Sequence, residues 1–176
     1  MKKKYTYFLL TALCALYSCN EDDGFQCPAP IGELSAQVHE EFNFRARFVE
    51  FYISEERPDV VDIRALETSE NCLWLGNLSF YLENKTGTGE LVNGRAGEVN
   101  TTSFAEWDDD VILGRWDLYE AEPRTATVTR VDDEIIEGRF TATYVYVESP
   151  NNITTLPDTL RFRDVYFKAE FFDRNQ

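Results

Sequence analysis

Leu160-Arg161-Phe162-Arg163-Asp164-Val165-Tyr166-Phe167-Lys168-Ala169-Glu170-Phe171-Phe172 carries the clearest period in the chain. Leu160 and Phe162 sit on even positions, whereas Val165, Phe167, Ala169 and Phe171 sit on odd ones. A period of two is that of a strand with one buried face, because successive side chains point to opposite sides. A change of parity within one run would turn the second half toward water unless an extra residue absorbs it. The stretch therefore predicts a long strand with a β-bulge or bend near Arg163-Asp164.

Working back toward the N-terminus, the same signal recurs. Ser149 to Pro157 reads as a loop, with two asparagines and two prolines. Phe140, Ala142, Tyr144 and Tyr146 form one face of a second long strand, and Asp132-Asp133-Glu134 is the polar connection before it. Thr125 to Val131 is rich in β-branched residues. A short strand is expected over Val99 to Phe104, broken by Glu106 to Asp110, and Asn84 to Gly89 is a turn cluster. Trp74, Leu78, Phe80 and Leu82 share one face with Gly76 as a gap, and Val61, Ile63 and Ala65 alternate before them. Phe42 to Phe48 alternates as well; a helix over Glu33 to Phe48 ranks below a strand because the aromatic spacing is two. Many short strands separated by turn signals predict an all-β fold: a single antiparallel sandwich or small barrel of about eight strands, over residues 36–176.

The N-terminus gives an address. Lys2-Lys3-Lys4 is followed by an apolar run from Tyr5 to Tyr17, too short for a spanning helix, which needs about 20 residues. Leu16-Tyr17-Ser18-Cys19 resembles the lipobox cut by lipoprotein signal peptidase, although Tyr17 replaces the usual small or β-branched residue. Residues 1–18 are thus expected to leave as a signal peptide, and Cys19 to become the lipidated first residue of a tether over 19–35. Bacterial lipoproteins carry more than one acyl chain on this cysteine, and such an anchor is in practice permanent. The acidic Asn20-Glu21-Asp22-Asp23 behind it looks like the surface-export signal of Bacteroidota-type lipoproteins, which implies display on the outer membrane; the alternative is an acidic tether facing the periplasm.

Composition narrows the partners. Loss of the three signal-peptide lysines moves the formal charge from −15 to −18. So acidic a body is repelled by nucleic-acid phosphates and anionic lipid, so nucleic acid is excluded and membrane attachment must come from the lipid anchor. Cys14 leaves with the signal and Cys19 is acylated, leaving Cys27 and Cys72 to form a disulfide in an oxidising compartment, with two buried thiols as the alternative.

Thr86-Gly87-Thr88-Gly89, Glu137-Gly138-Arg139-Phe140-Thr141-Ala142 and the final strand through Val165-Tyr166-Phe167 resemble a family of small Bacteroidota-type β-rich outer-membrane and surface lipoproteins, over roughly residues 40 to 172. The motifs are turn glycines and strand aromatics. The resemblance implies a β-rich envelope lipoprotein and no catalytic residues.

No constellation of side chains announces a reaction. His39 is the single histidine and reads as a solvated residue at a strand end, so a His-based triad is not expected. No His/Cys spacing suits zinc and no glycine-rich phosphate loop is present; no cofactor is expected. With 32 acids some carboxylate pair is inevitable, so a small carboxylate-based hydrolase ranks last. Asp108-Asp109-Asp110 is the candidate contact for a hard cation, against a solvated acidic turn. Trp107, beside it and expected on a loop, is a candidate stacking face for a ligand, whereas Trp74 and Trp116 are expected in the core. Asp158-Thr159-Leu160 resembles the short O-glycosylation motif of Bacteroidota-type exported proteins, which makes Thr159 a candidate. The expected function is a non-enzymatic binding or interaction module of the cell envelope, with a glycan or envelope protein as partner. An accessory subunit of a surface complex is the alternative.

Overall fold

The computed structural model describes residues 27–39, 42–91, 102–148 and 153–171. The signal peptide, Cys19, Asn20 to Asp23 and the Val99 to Thr101 part of one expected strand lie outside the described residues. Every regular element described is a strand: β1 (Glu33–His39), β2 (Phe42–Ala46), β3 (Phe48–Ser54), β4 (Arg57–Thr68), β5 (Trp74–Glu83), β6 (Gly87–Glu90), β7 (Ser103–Asp108), β8 (Val111–Leu118), β9 (Thr125–Val131), β10 (Ile135–Glu148) and β11 (Thr159–Phe171).

All eleven belong to one sheet. The pairings run β11–β3–β4–β5–β7–β8–β10, and β10 returns to β11. The β1–β2 hairpin joins β11 through Glu33↔Lys168 and Leu34↔Phe167. On the other side, β10 pairs with β9 over Ile136 to Thr141 and with β8 from Tyr144 onward, so its length bridges two neighbours.

Three expectations are corrected. Among the described residues the strands number eleven rather than about eight. Part of the surplus comes from Gly87–Glu90, expected as turn, which pairs with β9; Thr88 and Thr127 join their hydroxyls across it at 3.0 Å. The first strand begins at Glu33, inside the segment expected as tether, because Ile31 bridges to Phe48 and Val49 N–H donates to the Ile31 carbonyl at 2.8 Å. The sheet is not wholly antiparallel either: β11 meets β3 in parallel at Glu170↔Glu50 and Phe171↔Phe51.

One hydrophobic core fills the inward side. The alternation places Val61, Ile63 and Ala65 of β4, Leu78, Phe80 and Leu82 of β5, and Ile136, Phe140, Ala142 and Tyr144 of β10 within it. The parity flip of β11 is also accommodated. Leu160, Phe162, Val165, Phe167 and Ala169 are all buried, because Phe140 faces Val165 while Ala142 faces Phe162, and Arg163-Asp164 share the space opposite Thr141. Asp164 turns the corner at φ 49°, a left-handed conformation that aspartate tolerates and β-branched residues do not. Its amide donates to Thr141 Oγ1 at 3.0 Å. Arg139 clamps it, donating through Nε to the carboxylate at 2.8 Å and through Nη2 to the backbone carbonyl at 2.7 Å. The same guanidinium holds the Asp164 carboxyl below its ordinary pKa. Asp164→Gly is therefore expected to keep the melting temperature within a few degrees, whereas Asp164→Val lowers it clearly. Equal melting temperatures for the two would show that the bulge does not constrain the fold.

Candidate functional site

The most unusual surface lies at the end of the sheet where β4 turns into β5. The connection is tight: Ser69 N–H donates to the Leu73 carbonyl at 2.9 Å, and Ser69 Oγ accepts from Leu73 N–H at 3.1 Å. Cys72 in this turn has φ 60° and is bridged to Cys27, with Cα atoms 5.7 Å apart. The expected disulfide is thus formed, and it ties the start of the described chain to this end.

Beyond the turn the ladder skips. Glu67 faces Gly76 but Thr68 faces Trp74, which leaves Leu75 extra on β5. A skip of one residue reverses the faces, so Trp74 does not continue the buried row of Leu78, Phe80 and Leu82. It is 45% exposed, flanked by Leu73 and Leu75, which are also exposed. The expectation of Trp74 in the core is corrected by this bulge.

Trp107 meets it edge-on, with ring centroids 5.3 Å apart at 84°. Trp107 belongs to β7 rather than to a loop, because the strand continues to Asp108 and only Asp109-Asp110 form the turn into β8. Asp109 adopts φ 57° and its amide donates to the Trp74 carbonyl at 3.2 Å, which fastens the hairpin to β5. Trp107 is half-buried, and its indole nitrogen is buried with no hydrogen-bond partner. Val111, across from Asp108, is exposed. Ile153 is 61% exposed and stands beside Thr154, whose hydroxyl donates to Glu106 next to Trp107. Trp74 and Trp107 therefore touch at one end of the sheet, beside the disulfide, with Leu73 and Leu75 next to Trp74 in the chain and Val111 across the hairpin from Asp108.

Asp108, Asp109 and Asp110 are exposed along the rim of this cluster. Among the described residues no three Asp, Glu, His or Cys side chains are placed to hold a metal ion, so the acidic turn carries no cation assignment. Trp116 is fully buried as expected, and its indole N–H donates to the Pro157 carbonyl at 2.9 Å. His39 is exposed at the end of β1 and borders an open basin of about 490 Å³ with Thr159, Arg161 and Arg163. Thr159, half-buried at the start of β11, forms part of that wall.

Two carboxylates approach the inward side at the same end. Glu67 and Glu106 both face Gly76 across the ladder, two strand spacings or roughly 9–10 Å apart along the sheet. The Phe44 ring lies over Gly76, where an added Cβ would meet it at 3.1 Å. Burial pushes the Glu67 carboxyl up, against the opposing effect of the Arg45 N–H that it accepts at 3.3 Å. A raised folded-state value favours the protonated form, so this contribution to stability is present below the ordinary carboxylate range and is lost as pH rises through the raised value. Glu67→Gln is expected to flatten the fall in melting temperature as pH rises above the ordinary carboxylate range, with no loss at neutral pH. A profile unchanged by the substitution would remove Glu67 as its source.

The sequence reading named Trp107 and the aspartates but missed Leu73, Leu75, Val111 and Ile153. The signal was present: Leu-Trp-Leu directly after Cys72 breaks the polar alternation of an exposed strand. Comparison with family models, curated proteins and solved structures finds no match for this chain.

Proposed function

We propose that this chain is a lipid-anchored protein of the bacterial cell envelope, held by Cys19 and displayed on the outer membrane, and that it works as a non-enzymatic interaction module of the β-rich lipoprotein kind. The observation that carries the reading is the exposed Leu73-Trp74-Leu75 segment with Trp107, at the end of the domain fixed to the N-terminal tether by Cys27–Cys72. Exposed large apolar residues beside a pair of touching indoles on an acidic body favour a place of contact. The closed circuit of pairings through β11, β3, β4, β5, β7, β8 and β10 supports a small barrel over a two-sheet sandwich, since a sandwich would leave unpaired edges between its sheets.

Protease added outside intact cells tests the display. Digestion of the epitope-tagged domain on intact cells is the expected result. Protection on intact cells with digestion after lysis would place the domain in the periplasm and contradict surface display.

A further inference from the structure

We propose that the end of the sheet carrying Leu73, Trp74 and Leu75, with Trp107 and Val111, is the part of the domain that rests on the lipid surface that holds its N-terminus. This rests on the anchor reading above and adds an orientation and a contact to it.

Three observations converge on a lipid occupant. The first is reach. Cys27 is fixed by its disulfide to Cys72, the residue before Leu73. Eight peptide steps separate Cys27 from Cys19, and an extended chain of that length spans at most roughly 26–29 Å. An anchor at Cys19 therefore keeps this end within that distance of the bilayer. The second is chemistry. Trp and Leu side chains suit the boundary between head groups and acyl chains, where an amphipathic indole has both an apolar and a wet neighbour. Scattered apolar residues on a surface are ordinary, but here consecutive exposed residues Leu73-Trp74-Leu75 adjoin a second indole. The third is charge. Exposed Asp108, Asp109 and Asp110 border the cluster, which disfavours anionic head groups and selects a neutral or zwitterionic surface. The anchor supplies residence at the membrane; the patch needs only to orient a domain already there, so a small apolar area suffices.

The test uses the chain from Cys19 to Gln176 with the Cys27–Cys72 disulfide intact, which leaves Cys19 as its one free thiol. Cys19 is coupled to a maleimide phospholipid in phosphatidylcholine vesicles that contain lipids brominated high on the acyl chains. Trp74 and Trp107 report contact, while Trp116, fully buried, provides an unquenched baseline. The expected result is quenching by the brominated lipid, together with a several-fold loss of quenching by aqueous iodide relative to the uncoupled protein. Trp74→Phe should remove much of the lipid quenching, and Leu73→Ser with Leu75→Ser should restore iodide access without lowering the melting temperature. Iodide access that is the same with and without coupling, with no effect of brominated lipid, would overturn the proposal and leave the patch free for a soluble partner. Because the coupling is chemical, this result does not depend on whether cells acylate Cys19, so failure of the contact and failure of the anchor reading are distinguishable.

Discussion

Phe162→Ala is expected to lower the free energy of unfolding by about 3–5 kcal/mol, the cost of removing a large ring from a core that cannot fully close over the void. Phe162 has no exposed surface and lies on β11 just before the bulge. Its ring meets those of Phe44 at 6.2 Å, Phe104 at 6.3 Å, Phe140 at 5.8 Å and Tyr144 at 5.4 Å. These partners come from β2, β7 and β10, so one side chain joins segments distant in sequence. A domain's whole stability is of order 5–15 kcal/mol, and this single loss would consume a large share of it. Equilibrium denaturation should show a lower midpoint with an unchanged slope. Val147→Ala, at an exposed position of β10, should stay within about 0.5 kcal/mol of the parent. A Phe162→Ala effect as small as that of Val147→Ala would mean that these rings do not form one cooperative core.

Replacing Cys27 and Cys72 together by serine should cost a comparable amount. The bridge closes a sequence separation of 45 residues, and in the chain-entropy model a loop of this length stabilises by about 4 kcal/mol through its restriction of the unfolded chain. The folded state also depends on it locally, because the turn from Ser69 to Leu73 and the segment leading to the Ile31–Phe48 bridge are the two ends that it joins. The double variant is expected to melt well below the oxidised parent, and reductant should lower the parent toward the variant while leaving the variant unchanged. A parent insensitive to reductant would show that the loop is held without the bridge.

The β character of the chain was legible wherever apolar parity was strict. In β11 two buried registers in one run forced a bulge near Arg163-Asp164, and Asp164 at φ 49° is that bulge. Val61 to Ala65 and Phe140 to Tyr144 were readable for the same reason: alternate apolar residues of each face the core. Trp74 was misplaced because its face depends on the skip between Glu67 and Thr68, and nothing in the composition of β5 records that skip. Gly87 to Gly89 read as turn because glycine-rich sequence lacks a hydrophobic period; the strand character of Gly87–Glu90 comes from β9, whose paired residues lie 35 to 41 positions away. The parallel contact of β11 with β3 is likewise set by tertiary closure rather than by local pattern. The candidate surface was half legible. Trp107 and its aspartates stood out, but the contact of Trp74 with it, and the exposure of Leu73 and Leu75 beside Trp74, are products of the bulge.

The anchor is the premise on which display, orientation and contact all depend, and membrane fractionation of cells that produce Cys19→Ala beside the parent tests it most directly. The parent should remain in the membrane fraction through high-salt and carbonate washes, and Cys19→Ala should move to the soluble fraction or leave the cell. Retention of Cys19→Ala on membranes through the same washes would contradict lipid anchoring at this residue.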